Sequence, residues 1–151
     1  MSIQLKRTNS EDPDFALLVA LLDEELVQRY GEVQNIYRQY NKIEHQPTVI
    51  LAYNNDQPVG CGCIKPFEPA TGEVKRMFVL KSQRGAGIGG AILRALEQWA
   101  IESGFQALVL ETAARQPEAI HLYEKQGYHR IPNYGQYQNM PLSICMKKQL
   151  Q

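Results

Sequence analysis

Apolar residues at strand and helix spacings predict the first elements of the chain. Alternation of apolar and polar residues over 3–7 predicts an opening strand. Asp12 followed by Pro13 is typical of a helix N-terminus, and apolar residues at helical spacing then predict a first helix over 13–29. A second, more polar helix is predicted over 33–44. The chain is therefore expected to start with one strand and two helices.

Three further strands are predicted in the middle of the chain. Two β-rich segments over 48–53 and 58–65 flank a turn-rich stretch, which is typical of a hairpin. A loop is predicted over 66–72, and residues 73–79 then form a run of high strand propensity.

Helices and strands alternate in the second half of the chain. A glycine-rich turn over 84–90 leads into the most regular helical pattern, which ends at Gly104. A short apolar strand over 107–110, a helix over 117–126 and a closing strand over 143–147 follow. This order predicts an α/β fold with no repeat and no domain linker.

Composition supports a single domain over residues 1–151. Hydrophobic residues make up 44% of the chain, and its sixteen basic and sixteen acidic side chains cancel, so no overall field attracts nucleic acid or an anionic membrane. No apolar run has the length of a membrane span and the first residues lack a signal layout, so we expect a soluble, cytoplasmic protein. Residues 65–94 nevertheless carry six basic and two acidic residues, which suits either a small polyanionic ligand or a solvated face with scattered counter-charges.

The three cysteines predict neither a disulfide framework nor a metal centre. Cys61, Cys63 and Cys145 cannot all pair with one another. Cys61 and Cys63 form a C-x-C pattern, but no second pair of Cys or His follows at ligand spacing. We expect reduced thiols, with Cys61 and Cys63 as small apolar residues on one strand face.

The glycine-rich turn is the strongest functional signal. A turn between a strand and a helix presents free backbone N–H groups and the positive end of the helix dipole, so it can bind an anion. Gly85, Gly87 and Gly90 satisfy the dinucleotide fingerprint, and Glu111 follows about 20 residues later, where a ribose-binding acid is expected. A nicotinamide-dependent oxidoreductase is therefore one candidate. A Walker A loop is excluded because no Gly-Lys-Ser/Thr follows.

The same turn contains Arg84-x-x-Gly87-x-Gly89, and in this context the sequence resembles the GNAT superfamily of N-acetyltransferases. Residues 72–79 look like the central strand of that family, and residues 119–128 look like its late helix and final strand. The resemblance implies a mixed central sheet of about six to seven strands with about four flanking helices. It also implies an acyltransferase that uses acetyl-CoA as co-substrate and no metal, and it allows a homodimer.

The resemblance assigns cofactor contacts to the central strand, the glycine turn and the late helix. The turn would grip the pyrophosphate of acetyl-CoA, and the bulged strand would bind the pantetheine arm and the thioester carbonyl. Many members carry Asn at the position of Gln116, so the longer amide side chain departs from the pattern. The implied cofactor-binding residues are Met77, Phe78, Val79, Arg84, Gly85, Ala86, Gly87, Ile88, Gly89 and Gln116.

Two residues match catalytic positions of the family. Glu73 lies where many members place a general base, which would take a proton from the ammonium group. Tyr123 matches the helix tyrosine that would protonate the leaving thiolate, and a phenol with a pKa near about 10 suits that role. Each has a structural alternative: Glu73 as an exposed residue paired with Lys75 or Arg76, and Tyr123 as a packed aromatic ring.

The acceptor pocket of this fold would be formed by residues 30–44 and by the loop over 132–141. We expect a small amine that also bears a carboxylate, such as an amino acid, with Arg38 or Arg76 pairing with that group. A protein lysine as acceptor, and a non-catalytic acyl-CoA sensor with the same fold, stay open. The candidate substrate-binding residues are Tyr37, Arg38, Arg76 and Tyr134.

Overall fold

The structure, a computed structural model, describes residues 2–30 and 45–150, without the side chains of residues 29 and 30. Within these ranges the chain forms three α-helices and seven strands. The helices are α1 (Pro13–Tyr30), α2 (Ile88–Glu102) and α3 (Pro117–Lys125). The strands are β1 (Ile3–Thr8), β2 (Thr48–Asn54), β3 (Gln57–Glu68), β4 (Thr71–Val79), β5 (Ala107–Ala113), β6 (His129–Ile131) and β7 (Ser143–Gln149).

The strands form one sheet in the order β1-β2-β3-β4-β5-β7-β6. β1 with β2, β2 with β3, β5 with β7 and β6 with β7 pair antiparallel, whereas β4 and β5 run parallel. The predicted α/β fold with a mixed sheet is confirmed. The second predicted helix, over 33–44, lies outside the described residues.

One loop prediction is wrong, and one short strand is not predicted. β3 continues to Glu68, so the loop predicted over 66–72 is wrong and a short turn takes its place. The strand continues past Pro66 because the Phe67 ring packs against Tyr134, with a centroid distance of 4.8 Å. The sequence pattern does not predict β6, because this strand contains only three residues and is too short to show a period.

The chain divides into two compact units, and each is described by itself. The first unit contains Met1–Ile64 and Arg76–Leu96, and the second contains Lys65–Lys75 and Glu97–Gln151. A single domain over the whole chain therefore stays a prediction. Across the described ranges, no helix is both long enough and apolar enough to cross a membrane.

In the first unit, α1 begins where the sequence predicts and packs its apolar face into a core. Oδ1 of Asp12 accepts a hydrogen bond from the N–H of Asp14 at 2.9 Å, so Asp12 is the N-cap and Pro13 the first helical residue. Cys61 and Cys63 are fully buried, which confirms them as small apolar strand residues. The core cluster consists of Phe15, Leu18, Leu22, Val49, Leu51, Cys61, Cys63 and Phe78.

Two glycines of β3 allow other side chains of the first unit to approach closely. A Cβ atom on Gly60 would lie 2.8 Å from Cδ1 of Ile92 and 3.1 Å from the carbonyl oxygen of Phe78. A Cβ atom on Gly62 would lie 2.5 Å from Sδ of Met77. A side chain at either position would therefore force its neighbours to shift.

The second unit has an apolar centre and a buried ionic group. Leu108 on β5 and Met146 on β7 are fully buried. Glu97 of α2 is also buried, and its carboxylate accepts hydrogen bonds from Tyr128 Oη and from Lys148 Nζ, both at 3.0 Å. Each carboxylate oxygen thus has a partner, which offsets the free energy lost when the charge leaves water.

Candidate functional site

The turn after β4 has the geometry of an anion site. Gly85 and Gly87 have φ values of 90° and 82°, which residues with side chains rarely adopt. The N–H of Ala91 donates to the carbonyl of Gly87 at 3.1 Å, so α2 starts directly after this glycine. The first amides of α2 have no acceptor within the helix and are available to an anion. A Cβ atom on Gly85 or Gly87 would meet nothing within 4 Å, so the glycines are needed for conformation and not for packing.

The Arg84 side chain is engaged by neighbouring groups of the first unit. Its Nε donates to the carbonyl of Val79 at 2.8 Å. Its Nη2 donates to both carboxylate oxygens of Glu25 on α1, at 2.8 and 2.9 Å. The guanidinium carbon also lies 5.6 Å from the centre of the Phe78 ring. Sequence reasoning missed Glu25, because 59 residues separate the two partners.

The regular ladder of β4 is interrupted in the middle of the strand. β4 pairs with β5 from Thr71 to Val74, and in the described chain the pairing goes no further. Arg76 then has a φ of 58°, in the left-handed region, and its carbonyl accepts a hydrogen bond from Cys61 Sγ at 3.3 Å. In the following residues, 77–79, the side chain of Phe78 is buried. A ligand beside this segment would therefore contact its backbone and the residues next to Phe78.

Arg76 also makes an ion pair with α1. Its Nη1 donates to Oδ1 of Asp23 at 2.6 Å. Arg76 lines a groove of about 410 Å³, together with Phe15, Val19 and His45. A carboxylate in this groove would have to share the guanidinium with Asp23. The other expected acceptor residues, Tyr37 and Arg38, lie outside the described residues.

In the second unit, two predicted site residues contact each other. Glu73 is 4% exposed, and its Oε2 accepts a hydrogen bond from Tyr134 Oη at 2.7 Å. The alternative of an exposed Glu73 is therefore wrong. Burial and the nearby charge of Glu73 raise the pKa of Tyr134, so its hydroxyl stays a donor. The next residue on this strand face, Lys75, is also buried and donates to Tyr137 Oη at 3.1 Å.

A second carboxylate, Glu111 on β5, belongs to the same unit. Its Oε2 accepts a hydrogen bond from Ser143 Oγ at 2.7 Å. Burial raises the pKa of Glu111 and the charge of Glu73 adds to this, whereas Ser143 and Lys75 oppose it. The sequence singles out Glu111 only as a possible ribose ligand. A polar residue that ends the apolar run of β5 is the signal that could have indicated a buried carboxylate.

Tyr123 on α3 is 6% exposed, and its ring lies 5.9 Å from that of Tyr128. Among the residues that the structure describes, none forms a hydrogen bond with its hydroxyl group. Burial, together with the charge of Glu111, raises the pKa of Tyr123, so the phenol stays protonated at physiological pH. Tyr123 is thus both a packed aromatic ring and a hydroxyl group able to donate to a ligand.

Gln116 occupies the N-cap position of α3 without capping it through its side chain. Its Oε1 instead accepts a long hydrogen bond from Thr112 Oγ1, at 3.4 Å. A cofactor contact by Gln116 therefore stays a prediction. Within 2–30 and 45–150, no group of three or more His, Cys, Asp or Glu side chains is arranged to hold a metal ion.

Comparisons with known proteins agree with this fold. The model of the acetyltransferase (GNAT) family matches residues 10–128. An IAA acetyltransferase from Azospirillum brasilense is 42% identical over 102 residues, which cover 67% of this chain and 67% of that protein. A Klebsiella pneumoniae protein assigned as an acyl-CoA N-acyltransferase superposes with a TM-score of 0.81 at 29% identity, over 98% of this chain and 97% of that one. A GNAT family acetyltransferase from Elizabethkingia anophelis, solved with acetyl-CoA bound, has a TM-score of 0.68 at 20% identity and covers 97% of each chain.

Proposed function

Because the chain belongs to the GNAT family of acetyltransferases, we propose that it transfers the acetyl group of acetyl-CoA to a primary amine of a small molecule. Membership of the family makes the protein an acyltransferase. The acetyl group would pass directly from the thioester to the amine, with both substrates bound in one ternary complex.

The glycine turn is the observation that carries the proposal. Its left-handed Gly85 and Gly87 precede the N-terminus of α2, where free amides suit a pyrophosphate. The structural neighbour from Elizabethkingia anophelis, which binds acetyl-CoA, supports this choice of ligand. A nicotinamide cofactor is not favoured, because Glu111, the acid that would bind its ribose, is held by Ser143 inside the second unit.

Each proposed catalytic group has a defined task. The Glu73 carboxylate takes one proton from the ammonium group, and the free amine attacks the thioester carbonyl. The backbone of residues 77–79 stabilises the oxyanion. When the carbon–sulfur bond breaks, Tyr123 gives its proton to the thiolate, and the proton that leaves the nitrogen as the amide forms restores the phenol. The products are the acetylated amine, the free thiol of CoA and one proton, which Glu73 releases to solvent.

For the acceptor, we propose a small amine that carries a carboxylate. Arg76 in the first unit supports this choice, because it offers a guanidinium to a groove with apolar walls at Phe15 and Val19. Tyr134 would act on the acceptor indirectly, through the hydrogen bond that it donates to Glu73. We place the activity in the cytoplasm, since the three cysteines are free and buried, as suits a reducing compartment.

Titration calorimetry with acetyl-CoA, with NADH and NADPH as parallel ligands, tests the cofactor. We expect acetyl-CoA alone to bind, with a Kd near the micromolar range, or about −8 kcal/mol. A screen of amines for thiol release then identifies the acceptor. The double variant Glu73→Gln with Tyr123→Phe should lower kcat by about 100-fold or more and leave the Kd of acetyl-CoA nearly unchanged.

Glu124→Gln, an exposed change one residue from Tyr123 on α3, is the matched control and should retain full activity. Binding of a nicotinamide cofactor instead of acetyl-CoA would overturn the proposed function. Undiminished transfer by the double variant would reject both catalytic assignments. Binding of acetyl-CoA without transfer to any amine would favour the sensor.

A further inference from the structure

We propose that Glu25 is a positioning residue for the acetyl-CoA turn. In this arrangement Glu25 and the end of β4 hold the Arg84 side chain in place, and Arg84 fixes the start of the glycine turn. The pyrophosphate is then bound mainly by the amides that follow Arg84. The inference rests on the proposed function, because it concerns the same turn.

The hydrogen bonds of Arg84 support this arrangement. The guanidinium uses Nε on the Val79 carbonyl and Nη2 on both oxygens of Glu25, at distances between 2.8 and 2.9 Å. Its carbon lies over the Phe78 ring at 5.6 Å. To reach a phosphate with these nitrogens, Arg84 would have to break three charge-assisted or backbone hydrogen bonds. It would also leave the Glu25 carboxylate beside an incoming anion.

The turn itself needs an external anchor. Gly85 and Gly87 have left-handed backbones, and a Cβ atom at either position would meet nothing within 4 Å. Because glycine has more backbone freedom than other residues, the turn loses much conformational entropy when its amides converge on a ligand. An ordered Arg84 immediately before Gly85 reduces that loss, since the first residue of the turn is already fixed.

The magnitude of the effect follows from exposure. The side chain of Arg84 is 33% exposed and that of Glu25 is 24% exposed, so solvent screens the pair. Partly exposed ion pairs contribute up to about 1 kcal/mol, which corresponds to about fivefold in a dissociation constant. Glu25→Gln should therefore weaken acetyl-CoA binding by about fivefold at most.

The test compares acetyl-CoA with S-acetylpantetheine, which has the thioester and the pantetheine arm but no pyrophosphate. Kd values are measured by calorimetry for acetyl-CoA and by ligand-observed NMR for S-acetylpantetheine. We expect Glu25→Gln and Arg84→Lys each to weaken acetyl-CoA binding by a few-fold and to leave S-acetylpantetheine binding unchanged. The two changes combined should be no worse than Arg84→Lys alone, because both remove the same anchor.

Glu24→Gln is the matched control, since Glu24 is the exposed neighbour of Glu25 on α1 and its substitution removes the same charge. Tighter acetyl-CoA binding by Glu25→Gln would mean that Glu25 competes with the pyrophosphate, and it would overturn the proposal. Unchanged binding, additive effects or equal weakening for both ligands would overturn it as well. If the unaltered protein fails to bind acetyl-CoA, the proposed function itself fails, which is a separate result.

Discussion

At the scale of single residues, burial changes the titration of one carboxylate of the second unit, Glu111. Glu111 accepts a hydrogen bond from Ser143, yet burial raises its pKa above the usual value of 4.5. A raised carboxyl pKa means that the folded protein binds this proton more tightly than the unfolded chain does. The stabilisation is complete below pH 4.5 and is lost as pH rises through the raised pKa.

Glu111→Gln should remove this part of the pH dependence of stability. The amide oxygen can still accept the Ser143 hydrogen bond, but it carries no charge. We expect the free energy of unfolding of Glu111→Gln, relative to the unaltered protein, to increase as pH rises from 4.5 and then to level off. Urea unfolding over about pH 4 to 8 measures this difference.

Glu124→Gln, which removes the same charge at an exposed position of α3, is the matched control. A pH-independent difference for Glu111→Gln would show that Glu111 has the same pKa in the folded and unfolded states.

The hydrogen bond between Glu73 and Tyr134 illustrates the limit of sequence reasoning at this scale. Both residues can be singled out by resemblance, but 61 residues separate them and no local pattern links them.

At the scale of elements, the packing around β3 depends on the absence of side chains. A Cβ atom on Gly60 would lie 2.8 Å from Cδ1 of Ile92, which is fully buried, and 3.1 Å from the Phe78 carbonyl. Gly60→Ala should therefore lower the free energy of unfolding by about 1 to 3 kcal/mol through overpacking. Ile92→Val removes the methyl group concerned and should cost about 0.5 to 1.5 kcal/mol by itself.

The double variant Gly60→Ala with Ile92→Val separates the contact between these two residues from other effects on stability. Because Ile92→Val removes the atom that the new methyl group would meet, the double variant should lose less stability than the sum of the single losses. Urea unfolding of the four proteins gives the coupling free energy. Additive losses would show that the destabilisation at Gly60 does not arise from contact with Ile92.

Elements with a clear period were predictable, and those set by distant contacts were not. The helix predicted over 13–29 is α1 at Pro13–Tyr30, because apolar residues repeat at helical spacing after a polar cap. β3 extends past Pro66 because Phe67 packs against Tyr134, a contact across the sequence. The left-handed Arg76 is likewise a product of the fold, with its carbonyl bound by Cys61 and its side chain by Asp23.

At the scale of the whole molecule, a single domain over the whole chain predicts that the two units unfold together. The chain passes from the first unit to the second within β3, after Ile64, returns within β4, at Arg76, and passes again within α2, after Leu96. None of these three passages is a linker, because each falls inside a strand or a helix. The predicted single domain therefore requires one cooperative unfolding transition, as is usual for chains of about this size.

Labelling of the cysteines can test whether the two units unfold together, because the cysteines lie in different units. Cys61 and Cys63 lie in the first unit and Cys145 in the second, and all three are buried. Burial raises the pKa of Cys61, and it raises that of Cys145 to about 11, so native thiols react slowly. Pulsed thiol labelling at increasing urea, followed by peptide mapping, gives an unfolding midpoint for each unit.

We expect the same midpoint for Cys61, Cys63 and Cys145, matched by the fluorescence of Trp99 in the second unit. An earlier midpoint for either unit would divide the chain into two domains, since labelling of one unit would then proceed while the other remained folded.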